Sequence, residues 1–315
     1  MHPAERIPDP RHAHASRGWW LGLAGVLMFA LTIPMTRLAS GSVANPQLSA
    51  AFVAIGRAAL AGLLALAYLR GVQAPWPTPA QWRALAVTAS GVVFGFPLCM
   101  GLAVRQVEAV HAAVVTGLLP LATAVGAALW LRQQPPRAFW ATAATGAALV
   151  LAYAAWQGGA QLQPADALLL AAVVLGALGY VSGARLSAQM PPEHVISWAL
   201  VLALPFCLPW TLLNLPTQPV RAVSWVAFGY VAVVSMWLGF FAWYRGLALG
   251  GTLRVSQVQL VQPFLSMAFA LPLLGEQLDA PTLGFALAVM ACVLVSRRLA
   301  APALPAPAKP AVAAS

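Results

Sequence analysis

The sequence predicts an all-α integral membrane protein of ten transmembrane helices, arranged as two inverted five-helix repeats. Three observations lead there. Ten apolar stretches of spanning length fill almost everything between Trp19 and Ser296, arginine is distributed unevenly between the two sides they define, and the halves repeat a spacing. Hydrophobic residues make up 61% of the chain and charged residues 8%, with a mean hydropathy of +0.80. That is far too little charge to cover the surface of a soluble protein of this length.

A bilayer core about 30 Å thick takes about 20 helical residues to cross. On that length the spans fall at 19–38, 49–69, 84–104, 109–131, 138–156, 165–184, 195–215, 222–244, 254–275 and 280–296, joined by short loops. Residues 1–18 form a polar cytoplasmic tail with three Arg and three His. A secretory signal would show a short apolar core and a small-residue cleavage site. Here the first apolar stretch runs a full span into Thr36–Arg37, so it reads as a retained helix. The Ala/Pro-rich segment 300–315 reads as a disordered cytoplasmic tail. Cys99, Cys207 and Cys292 sit in three separate spans without CxxC spacing or clustered His. They read as small buried hydrophobes, with no metal or other cofactor implied.

Lys and Arg accumulate on the cytoplasmic side of membrane proteins. With the N-terminus inside, thirteen basic residues fall on the inner side and only Arg37, Arg105 and Arg221 on the outer, with Arg57 inside a span. An even number of crossings is needed to return Arg297, Arg298 and Lys309 to the inner side, and ten provides it. The net charge of +10 could be mistaken for a nucleic-acid footprint. Its basic residues stand singly or in pairs at helix ends, however, with no basic stripe interleaved with aromatics, so no nucleic-acid partner is expected.

The repeat shows in spans 4 and 9. Pro120 and Pro263 lie 143 residues apart, as do Leu131 and Leu274, and Gly95–Phe96 and Gly239–Phe240 fall within one residue of that register. Each half has an odd number of spans, so the copies face opposite ways, a device by which secondary transporters alternate access. Thr32-Ile33-Pro34-Met35-Thr36-Arg37 in span 1, Gly56-Arg57-Ala58-Ala59 in span 2, and Pro263 followed by Leu274-Gly275-Glu276 in span 9 resemble drug/metabolite transporters of the ten-helix EamA-type group. The resemblance covers roughly 19–299 and implies two EamA-like repeats, 19–156 and 165–299, with export from the cytoplasm. The first half departs from the pattern, carrying Arg132–Gln133 where Gly-Glu is expected.

Ionisable residues within the hydrocarbon are costly, so each is a functional candidate. Arg57 is the one well inside a span. It either binds a substrate carboxylate or phosphate, or reaches outward to a carboxylate such as Glu108 and pins two helices; the structural role is preferred. Arg105, Glu108 and His111 cluster at the outer end of span 4, and Glu276 and Asp279 follow span 9 on the same side. Together they form a charged outer gate or a structural cap, with Glu276 expected to meet Arg105 or His111. Span 9 is polar: Ser256, Gln259, Pro263 and Ser266 follow 3–4–3 spacing and share a face, with Gln262 beside them. Such a face looks at protein or water rather than lipid. The candidate substrate-cavity residues are Gln259, Gln262, Ser266, Trp237, Thr32 and Tyr180. Pro120 and Pro263 are the candidate mid-helix hinges.

No Asp or Glu lies mid-span, no P-loop is present, and no nucleophilic or metal-binding set can be assembled. The expected function is secondary transport of a small organic metabolite or amino-acid-like solute across a bacterial inner membrane, without enzyme activity. Its partners are that solute, the lipid bilayer, and protons or a counter-transported solute, while no feature sets an oligomeric state. The competing class is a non-transporting sensor or assembly factor on a transporter-like bundle.

Overall fold

A computed structural model describes residues 10–130, 136–157, 163–250 and 257–300, and every regular element among them is helical. Of the expected tails, residues 1–9 and 301–315 lie outside the described residues, as do Arg132–Gln133 and Ser256, whereas residues 10–18, expected as polar tail, are already helical.

The first crossing is made by α1 (Pro10–Ala30) and α2 (Thr32–Ser40), interrupted at Leu31. The break has a chemical origin. Pro34 has no N–H to offer the carbonyl of Ala30 four residues back, and the Ser266 hydroxyl donates to that carbonyl instead, at 2.8 Å. Next comes α3 (Ala50–Gly71), started by Ser49, whose side chain accepts the Phe52 N–H. A capping box of Thr78 and Gln81 opens α4 (Pro79–Thr88), which passes through a π-helical segment, Ala89–Gly95, into α5 (Phe96–Ala103). The fourth crossing is split at Gly117–Leu118 into α6 (Ala109–Thr116) and α7 (Leu119–Trp130).

Three continuous helices follow: α8 (Arg137–Gln157), α9 (Pro164–Leu186) and α10 (Pro192–Leu213). Then α11 (Ala222–Gly229), a second π-helical segment (Tyr230–Leu238) and α12 (Gly239–Gly250) run as one crossing. A 3₁₀ turn, Gln257–Val261, leads into α13 (Gln262–Leu274), and α14 (Ala280–Ala300) closes the order.

Among the described residues eight helices are long and apolar enough to cross a membrane, while Gln262–Leu274 and Ala280–Val295 are shorter apolar helices. The expected ninth span, 254–275, is thus a 3₁₀ turn and a 13-residue helix where it is described. Large apolar side chains such as Leu63, Phe206, Leu213 and Val226 stand exposed. In a chain this short of charge, lipid is the solvent for such a surface.

Bare backbone mediates the tightest helix crossings. A Cβ on Gly91 would sit 2.4 Å from the Leu175 carbonyl oxygen and 2.7 Å from Gly179, locking the first π-segment against α9. On the other side, a Cβ on Gly246 would lie 2.6 Å from the Gly22 nitrogen, locking α12 against α1. Small residues let membrane helices gain van der Waals contact that lipid cannot displace. Gly91→Leu is therefore expected to lower the thermal midpoint of the detergent-solubilised protein sharply. Gly284→Ala, which meets nothing within 4 Å, should leave it in place, and equal midpoints for the two variants would refute the close-packing account.

Candidate functional site

Helix interruptions converge on one internal cavity. Phe29 and Thr32 come from either side of the α1–α2 break, and Thr116 and Leu119 from either side of the α6–α7 break. Val92 and Phe96 come from the first π-segment and the residue after it, Ser235, Met236 and Phe240 from the second and its sequel, and Gln262 from the start of α13. Continuous helices complete the wall with Arg57 of α3 and Gly176 and Tyr180 of α9. The cavity leaves about 60 Å³ open to the centres of water-sized spheres, against the ~10–15 Å³ that one water needs. It has room for a few waters or a small solute. A second cavity, about 20 Å³, adjoins it, sharing Ile33, Thr116, Leu119 and Gln262 and adding Pro120, Gln259, Pro263 and Ser266.

The two prolines differ from the expected mid-helix kinks. Pro120 is the second residue of α7 and Pro263 the second residue of α13. First-turn N–H groups have no acceptor within their own helix, so proline is tolerated there. Each proline starts a half-helix whose first residue, Leu119 or Gln262, lines the cavity. Helix N-termini carry partial positive charge, and both of these lie at the cavity wall.

Among the expected cavity residues, Thr32, Tyr180 and Gln262 line the larger space, and Gln259 and Ser266 the smaller one. Ser266 is also the tie to Ala30, so it both faces the cavity and joins α13 to α1. Thr32 and Ser235 bond hydroxyl to hydroxyl at 2.6 Å, linking the first crossing to the second π-segment. The Oε1 of Gln262 is buried without a donor among the described residues.

Trp237 is not in the cavity. Its indole N–H donates to Ser197 Oγ at 3.1 Å, and its ring packs against Tyr68 and Phe241. The expected placement assumed a 3.6-residue period, whereas Tyr230–Leu238 winds as a π-helix with a wider turn. The shifted register brings Ser235, Met236 and Phe240 to the cavity instead.

Arg57 does not reach Glu108 or an interface. It is 4% exposed, lies on the cavity wall, and its Nε has no hydrogen-bond partner among the described residues.

Glu276 ties the end of α13 to the start of α6. Gly275 ends α13 in the left-handed region at φ +69°, a conformation that glycine adopts without steric cost. The chain turns back, and Glu276 Oε1 and Oε2 accept the N–H groups of Ala109 (2.7 Å) and Val110 (2.8 Å) at the start of α6. A carboxylate on a helix N-terminus joins charge to dipole. The partners are therefore backbone groups, where Arg105 or His111 was expected. Arg105 has a buried Nε without a partner, and its carbonyl accepts the Val43 N–H. Glu108 is exposed at the N-cap of α6, and Asp279 accepts the Thr282 N–H at the start of α14.

His111, next along α6, is buried with a different partner. Its Nε2 lies 2.7 Å from Asp166 Oδ1, while Asp166 Oδ2 accepts the Gln163 N–H at 2.8 Å. Sequence reasoning looked one turn along the helix to Glu108 and missed a partner 55 residues away. Asp166 did leave a signal: it is the acidic residue in the first turn of a predicted span, where a carboxylate needs a reason.

Burial raises the Glu276 carboxyl above its ordinary value near 4.5, and the charge of Glu108 adds to that, while the two N–H donors and Arg37 pull it down.

Two successive stretches, 16–161 and 163–297, match the EamA-like transporter family. The chain is 41% identical to the uncharacterized transporter YdeK of Bacillus subtilis (strain 168) over 293 residues, covering 90% of this chain and 98% of that protein. A solved crystal structure, 19% identical, superposes with a TM-score of 0.61 over 90% of this chain and 98% of its own, a likeness of fold alone. With a helical, lipid-facing body around a central cavity, these matches lead to one conclusion: the chain belongs to the EamA-like transporter family, and it is a membrane transporter.

Proposed function

We propose that this transporter moves a small organic solute out of the cytoplasm by alternating access, as a ten-helix carrier of two inverted repeats, 19–156 and 165–299, in a bacterial inner membrane. The observation that carries the reading is the central cavity, walled by helix interruptions from both family-matched stretches; on our reading the bond from Glu276 to the start of α6 closes its outer side. Two family matches in tandem support the division into repeats. So do the paired irregularities: each π-segment runs into a Gly-Phe pair, ending at Gly95 before Phe96 and at Leu238 before Gly239–Phe240, and Pro120 and Pro263 each open a half-helix at the cavity. Discontinuous helices beside a midplane site are the recurrent architecture of secondary transporters.

The cycle follows from those parts. Solute enters the cavity from the cytoplasm while Glu276 holds α13 to α6. Outward opening breaks that hold, and the half-helices beyond Pro120 and Pro263 swing as units, because neither proline has an N–H to bond the preceding segment. Outward direction rests on the family resemblance, and the return step is driven by exchange for a second solute or by protons. The test is counterflow in proteoliposomes: saturable uptake of a labelled solute against its unlabelled form is expected, lowered about tenfold or more in Gln259→Ala. Failure of every compound in a broad metabolite panel to exchange would sink the transport reading.

A further inference from the structure

We propose that Arg57 is the anion anchor of the central cavity and that the carried solute is a compact monocarboxylate with a hydrogen-bond donor near its carboxyl group. The inference rests on the transport reading above and specifies what its site binds.

Each described carboxylate is committed or remote. Asp166 is held by His111 and the Gln163 N–H, and Glu276 by two backbone N–H groups. Glu193 pairs with Arg245 at 3.2 Å, Asp279 caps α14, and Glu108 stands exposed at the outer end. That leaves the Arg57 guanidinium in the wall of a cavity, 96% buried by its 4% exposure, without a carboxylate partner among the described residues. A buried charge without a partner is expensive, and single removals elsewhere reveal costs of several kcal/mol. It is tolerable where a ligand brings the opposite charge.

Two further features favour an anion at the same place. The N-termini of α7 and α13 lie at the cavity wall and carry partial positive charge. The guanidinium fork also matches a carboxylate in a bidentate pair. Among the described residues the guanidinium is the one full positive charge at this wall, which suits the single charge and planar fork of a carboxylate. The unpartnered Oε1 of Gln262 then requires a donor, an amino or hydroxyl group on the same solute. Phe29, Phe96, Met236 and Phe240 leave an apolar surface for a short side chain.

The experiment uses the full chain in detergent and in proteoliposomes, with L-alanine, L-lactate, inorganic phosphate and glycerol as the compounds offered. Millimolar alanine or lactate is expected to raise the thermal midpoint of the wild type by several degrees, phosphate and glycerol by none. Arg57→Gln should abolish that ligand-dependent shift, and Arg57→Lys should retain part of it. Without ligand, the midpoint of Arg57→Gln should rise, since an unpaired buried charge is removed; a fall would assign Arg57 to a structural pairing and overturn the proposal. No shift with either carboxylate in the wild type also overturns it, as does a shift with phosphate alone. Counterflow separates the two readings. Alanine or lactate exchange unaffected by Arg57→Gln would leave transport standing and remove the anchor, while a carboxylate shift without any flux would leave the anchor standing and remove transport.

Discussion

Replacing Glu276 with alanine is expected to unseal the outer end of the cavity, raising the rate at which an impermeant maleimide reaches a cysteine at position 32 by at least about tenfold. The background for that measurement replaces the free thiols Cys99, Cys207 and Cys292. The reasoning is energetic. Both carboxylate oxygens accept backbone N–H groups at 2.7 and 2.8 Å, and hydrogen bonds to a charged group are worth about 1.5–3 kcal/mol each. Losing even one such bond exceeds the ~1.4 kcal/mol that corresponds to a tenfold shift. The first turn of α6 meanwhile loses the negative charge that its exposed N–H groups favour.

Gly275→Val should act the same way although it leaves the carboxylate intact. A β-branched residue at φ +69° is strained, so the turn that aims Glu276 would be lost. Glu276→Gln keeps one acceptor and should fall between the wild type and the alanine variant. Equal labelling rates in the wild type, Glu276→Ala and Gly275→Val would mean that something other than this bond closes the outer end.

Hydropathy located most of the long apolar helices because transfer into lipid sets their length and composition. The expected span at 109–131, for example, coincides with α6 and α7. The interruptions were harder to read because they depend on which acceptor a backbone N–H finds. Pro34 marked the break at Leu31 only in retrospect, through the Ala30 carbonyl that Ser266 satisfies from 236 residues away. The π-segment at Tyr230–Leu238 carries no proline, and its wider turn is what moved Trp237 off the cavity and Ser235 onto it. Gln262, Thr32 and Tyr180 could be anticipated as polar side chains that lipid would reject. Arg57 was anticipated as costly, but its surroundings depend on helix packing that span-by-span reading does not supply. Glu276 was expected near the start of span 4 and lies there, but with a different kind of partner, because charge-pair reasoning overlooks a helix N-terminus as a cation surrogate.

The largest stability effect is expected at the pair that local reasoning missed. In His111→Ala, the buried Asp166 carboxylate keeps only the Gln163 N–H, and breaking a buried pair from one side costs about 3–5 kcal/mol. The loss should appear as a large drop in thermal midpoint, with α6, α8 and α9 loosened together, since the His111 ring also lies 5.2 Å from that of Tyr153. Restoring satisfaction rather than charge should recover most of it. In the double variant His111→Phe with Asp166→Asn, the phenyl ring keeps the contact with Tyr153, and the asparagine carbonyl still accepts the Gln163 N–H. If the double variant were no more stable than His111→Ala, the pair would be required for itself, and a role in proton movement would become the better account of a histidine and an aspartate buried at the outer end. Recovery of the fold together with unchanged counterflow would instead make it a strut that holds α9 against α6 while Glu276 does the sealing.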